Sequence, residues 1–118
     1  MGAMSFLIKR IYDEPDPGDG FRVLVDRLWP RGVAKERAEL DLWLQEVAPS
    51  PELRTWFGHR ADRFAEFAAR YTAELDGNPA VDVLRQAGRE HPTVTLLYSA
   101  KDPKINNAVV LADYLHGT

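Results

Sequence analysis

The chain has 118 residues, 45% of them hydrophobic and 28% charged, with a formal net charge of -3 at pH 7. That is the size and composition of one globular domain whose core needs no covalent staples. The absence of cysteine excludes disulfides, thiol nucleophiles, thiolate zinc sites and iron–sulfur clusters. It suits a reducing cytosol, while the acidic balance argues against nucleic-acid binding. No apolar run approaches the ~18 residues of a membrane helix, and no stretch reads as a secretory leader. A cytoplasmic protein without a membrane partner is expected. Met1-Gly2-Ala3 before Met4 reads as an expression scar, which leaves residues 4–118 as the domain.

Phe6 to Tyr12 (FLIKRIY) reads as a strand, because β-formers are followed by the breaker cluster Asp13 to Gly20 (DEPDPGDG). Phe21 to Trp29 (FRVLVDRLW) is a second strand. Its run Val23-Leu24-Val25 suggests cover on both faces, as in a parallel sheet. Leu40, Trp43, Leu44 and Val47 recur at three- and four-residue steps and predict a helix over about 35–47. Ser50-Pro51 opens a short helix carrying Leu53, Trp56 and Phe57 and closed by Gly58. Phe64, Phe67, Tyr71 and Leu75 stripe a helix over about 61–76, with Gly77 after it. Asn78-Pro79 opens another to about Glu90. Thr93 to Ser99 (TVTLLYS) is the third strand, and Asp102-Pro103 the N-cap and first residue of a helix to about His116. The order predicts an α/β fold with a small three-stranded, mainly parallel sheet and about five helices. The first strand is either antiparallel or returns through one tight turn, since the breaker cluster is short for a parallel crossover.

In open α/β sheets ligands bind beyond the carboxyl ends of the strands. Three clusters end there: Tyr12 with Asp13, the run Asp26 to Gly32, and Tyr98 to Asp102. Asp26, Arg27, Arg31, Ser99 and Lys101 would share one rim with the amides of the last helix, which suits a small anionic or phosphorylated ligand. Asp26, Arg27 and Lys101 are candidates for acid–base work. So is His59, in the turn Trp56 to Arg60, since imidazole titrates near neutrality. Tyr12, Trp29, Arg31, Ser99 and Asn107 are candidate ligand contacts, Trp29 as a platform for a planar group. Each has a structural alternative: Asp26 and Arg27 as an ion pair, Trp29 as a seal on the core edge, His59 as an exposed turn residue. No histidine pair has metal-ligand spacing, no glycine-rich dinucleotide loop is present, and the acidic run 13–19 lacks the closing glutamate of a calcium loop. Neither metal nor cofactor is expected.

VLVDRLWPRG (Val23 to Gly32), the APS-ELR-WF pattern (Ala48 to Phe57) and TLLYSAKD…NNAVVL…YL (Thr95 to Leu115) resemble the YeaO-like branch of the domain-of-unknown-function family 488. The resemblance covers nearly the whole chain from Ile8. It implies a compact cytosolic bacterial protein with a Rossmann-like three-layer arrangement, and no particular activity. Some members carry a porphyrin methyltransferase label, but no glycine-rich methyl-donor loop is present here. Longer relatives carry a Cys and a Glu after the last strand and a Cys-His-Arg run on the last helix. Here those places fall at Tyr98, Ala100, Asn106, Asn107 and Ala108, so covalent chemistry is not expected. The expected function is binding of a small anion at the sheet's carboxyl rim, with acid–base chemistry open, by a monomer or homodimer. The alternative is a non-catalytic protein-interaction module using Trp56, Phe57, Arg54, His59, Arg60 and Arg63.

Overall fold

Three consecutive apolar residues in a strand need cover on both faces, and the fold is built around two such strands. The computed structural model describes residues 5–117, so the segment read as an expression scar lies outside the described residues. Strands β1 (Ser5–Arg10), β2 (Phe21–Leu24), β3 (Leu42–Trp43) and β4 (Thr93–Tyr98) form one sheet in the order β1-β4-β2-β3, each neighbouring pair parallel. The helices are α1 (Lys35–Ala38), α2 (Pro51–Phe57), α3 (Phe64–Asp76), α4 (Ala80–Glu90) and α5 (Asn107–His116).

Alternation along the strands sorts the core into two halves. Phe6, Val23, Val25, Val94, Leu96 and Tyr98 join a large apolar cluster to which α2, α3, α4 and α5 all contribute. Leu24 and Leu97 point the other way, into a smaller cluster with Ile11, Val33 and Ala38, edged by Trp29 and Trp43. The long helices therefore cover one face. One-turn α1 and the irregular segments after β1 and β2 cover the other, where a second helical layer was expected.

The sheet has four strands, not three, and the extra one comes from the segment expected to be helical over 35–47. Glu39 takes a left-handed conformation (φ 48°) and ends α1. The chain then pairs with the free edge of β2: Asp41 N donates to Arg22 O at 2.9 Å and Leu44 N to Leu24 O at 2.9 Å. A buried strand with unpaired edge groups is costly. Satisfying that edge outweighs the helical spacing of Leu40, Trp43 and Val47.

The first strand is parallel to its neighbour β4, and residues 11–20 return the chain without a helix. The crossover holds a single 3-10 turn at Pro17–Asp19, closed by a capping box between Asp16 and Asp19. It lies across β4, where Thr95 Oγ1 donates to Asp19 O at 2.6 Å. Gly20 (φ 64°) ends it so close to β4 that a Cβ would sit 2.3 Å from Thr93 O. The buried Asp19 carboxylate accepts from Lys9 Nζ at 3.1 Å and from Arg22 Nη1. Burial alone would raise its pKa. The Asp16 N–H and the two cations outweigh burial and hold it below the ordinary carboxylate value.

The last helix starts at Asn107, later than expected. Asp102 closes a local turn instead, accepting from Lys104 N at 2.8 Å and Ile105 N at 3.2 Å. Buried Asn106 is the true cap, accepting from Val109 N at 2.9 Å.

Candidate functional site

Val25 makes the last ladder bond of β2, its N–H donating to Leu97 O at 3.1 Å. Asp26 and Arg27 follow at the carboxyl end of the sheet. Asp26 Oδ2 accepts from Ser99 N at 2.9 Å and from Ser99 Oγ at 2.8 Å. Its Oδ1 accepts from Asn107 Nδ2 at 3.2 Å, and the same amide reaches Val25 O at 3.3 Å. One carboxylate thus ties together the end of β2, the turn after β4 and the first residue of α5. Arg10 braces that turn from β1, donating to Ala100 O at 2.9 Å and Ser99 O at 3.3 Å.

Arg27 extends the other way. Its Nη2 is shared between Ala48 O at 3.3 Å and Pro49 O at 3.4 Å. Its Nε–H is buried with no partner among the described residues. The carbonyl one residue earlier is fixed by Tyr71, whose buried hydroxyl donates to Val47 O at 2.6 Å. Burial pushes the Tyr71 pKa far up, with the charges of Asp26 and Glu74 adding to it, so the phenol stays a donor. Ser50 begins α2 as expected, its Oγ accepting from Leu53 N at 3.2 Å and donating to Glu74 Oε2 at 2.6 Å. At the far end of α2, Gly58 (φ 53°) and then His59 (φ 59°) are both left-handed, uncommon for a residue with a side chain.

These pieces enclose a cleft of about 320 Å³. It brings together five of the expected residues: Asp26, Arg27, His59, Ser99 and Asn107. The other four are elsewhere. Lys101 is exposed on the turn beyond Ser99, outside the cleft lining. Trp29 packs edge-on against Trp43 at 5.2 Å and donates its indole N–H to Val33 O at 2.7 Å, so it seals the smaller core. Tyr12 donates to the backbone oxygen of exposed Arg31 at 2.9 Å, beneath the Arg10 guanidinium. Trp29 and Arg31 are drawn away because residues 29–38 cover the second face of the sheet.

Sequence reasoning did not place Arg54 and Thr55 at the rim, yet both line the cleft. A signal was present: Leu53 and Phe57 occupy the core side of α2, which leaves Arg54, Thr55 and Gly58 on its polar side. Phe67 is in the lining as well. No carboxylate pairs with Arg27 or Arg54 among the described residues. The two aromatics of the interaction-module reading differ in exposure. Phe57 is buried, and half-buried Trp56 lies under the guanidinium groups of Arg63 and Arg70, 5.1 and 4.3 Å from its ring centre.

The chain that builds this parallel sheet and rim cleft matches a described family by its sequence. Residues 5–118 match the DUF488-N3i model, described as the inactive DUF488-N3 subclade, and the chain belongs to that family. Among individual proteins, it is 43% identical over 117 residues to the uncharacterised protein YeaO of Escherichia coli, covering 95% of this chain and 97% of YeaO. It is also 43% identical over 111 residues to the uncharacterised protein Rv3073c of Mycobacterium tuberculosis, covering 93% of this chain and 92% of that protein. No solved structure matches the chain. No helix among the described residues is long and apolar enough to cross a membrane.

Proposed function

We propose that this chain is a cytoplasmic binding protein whose cleft holds a small, phosphate-bearing anion without transforming it. The observation that carries this is Arg27: a guanidinium in the cleft wall with long, shared hydrogen bonds, an unpartnered Nε–H and no carboxylate partner. Arg54 on α2 and His59 just beyond it line the same cleft, so donors gather where neither Arg27 nor Arg54 has an ion-pair partner among the described residues. The position beyond the carboxyl ends of parallel strands is where Rossmann-type sheets bind ligands. Two considerations favour binding over acid–base catalysis. Asp26 already accepts three hydrogen bonds from its own chain, and the family is described as an inactive subclade.

The test is a thermal-shift and calorimetry screen of inorganic phosphate, sugar phosphates and nucleotides against the protein and its Arg54→Ala variant. Arg54 is exposed and outside the core, so this substitution reports binding with little change in stability. A ligand at a hundred times its dissociation constant should stabilise by about 2.7 kcal/mol, several degrees for a domain of this size. Arg54→Ala should weaken it about tenfold, as for loss of a charged hydrogen bond. A blank with every anion, or unchanged affinity in Arg54→Ala, would overturn the assignment.

A further inference from the structure

The two walls of the cleft differ in hydrogen-bonding character. On the α2 side, Arg27 and Arg54 offer only N–H groups. On the sheet side the donors are already spent: the Ser99 hydroxyl and amide both go to Asp26 Oδ2, and the Asn107 amide goes to Asp26 Oδ1 and Val25 O. Acceptor capacity is left over. Asp26 Oδ1 takes one donor of its own chain, the Ser99 oxygen keeps its lone pairs, and the Asn107 side-chain oxygen accepts no side-chain bond among the described residues. The cleft lining thus combines a donor wall, Arg27 and Arg54, with an acceptor wall, Asp26, Ser99 and Asn107, and includes apolar Phe67.

A bare anion would satisfy the first wall and leave the second to water. From this polarity we infer that the preferred ligand is a phosphorylated polyol: a phosphate monoester whose carbon chain carries hydroxyl groups that donate to Asp26, Ser99 and Asn107. The inference rests on the phosphate-binding assignment above and adds what the other end of the ligand must be. A dianion suits two unneutralised guanidiniums. Hydroxyls, rather than an ammonium, suit a carboxylate whose charge is already spread over three donors. The volume, about 320 Å³, is at the small end of ligand pockets. It fits a short sugar or polyol phosphate better than a dinucleotide.

The experiment uses the unmodified full chain and three probes: inorganic phosphate, n-propyl phosphate and glycerol 3-phosphate. The last two share a phosphate and a three-carbon chain and differ in the hydroxyls. Calorimetry should give glycerol 3-phosphate an affinity about tenfold or more above propyl phosphate, the scale of one hydrogen bond to a charged group. Its amide shifts in NMR spectra should reach Ser99 and Asn107 as well as Arg54 and His59. Equal affinities for the two esters would overturn the polyol inference while leaving phosphate binding intact. Failure of all three probes to bind would remove both. Tighter binding of glycerol 3-phosphate with shifts confined to the α2 side would also overturn the inference, because the acceptor wall would not be engaged.

Discussion

Two carboxylates show how one residue type serves two ends in the same sheet. Asp26, at the carboxyl rim, gathers donors from the turn after β4 and from α5 and fixes the cleft. Asp19, at the opposite end of β2, is buried between Lys9 and Arg22 and fixes the crossover. Because its folded pKa lies below the ordinary value, the unfolded chain holds the proton more tightly. The stabilising effect is thus fully present above the ordinary carboxylate pKa and fades as pH falls through the lower folded value. Asp19→Asn leaves Lys9 and Arg22 without their counter-charge and should cost about 3 kcal/mol at neutral pH. Urea midpoints for wild type and Asp19→Asn should differ most at pH 7, similarly at pH 5, and converge towards pH 3. A gap independent of pH would show that the ion pairs are not its source.

At the scale of elements, the parts readable from sequence are those fixed by short-range chemistry. The Ser50-Pro51 start of α2, the stripe Phe67, Tyr71 and Leu75 on α3, and the doubly apolar β2 and β4 all follow from caps and periodicity within one segment. The parts not readable depend on a distant partner. β3 exists because β2 has an edge to fill, although its own residues are spaced like a helix. The cleft was half legible for the same reason. Asp26, Arg27, Ser99 and Asn107 follow from the rule about strand ends. Arg54 needed knowledge of which way α2 packs, and Trp29 and Tyr12 were drawn off to the second core. The helix-free return from β1 to β2 depends on one backbone geometry at Gly20. Gly20→Ala should destabilise by about 2–3 kcal/mol or more, combining a strained dihedral with a clash against the Thr93 carbonyl. A thermal midpoint within a degree or two of wild type would mean that the crossover repositions freely.

Across the whole molecule, β4 is the strand on which everything converges. It is hydrogen-bonded on both edges, to β1 and β2, and its residues Val94 to Tyr98 are buried. Native-state hydrogen exchange should find its amides the slowest in the protein, opening only with global unfolding, while those of β3 and α1 exchange by local opening. Comparable rates in β4 and β3 would contradict this. The placement of β4 also has a consequence for biogenesis. The centre of the sheet is encoded at residues 93–98, after the other three strands. As the polypeptide leaves the ribosome, β1 and β2 wait without the neighbour that joins them, and only the two-residue pairing of β2 with β3 is available. Helices can form early, but the sheet closes in one late step that brings β1 and β4 together across about 80 residues. A nascent chain stalled before residue 93, or one clipped there, is therefore not a smaller version of this protein but a substrate for chaperones and proteases.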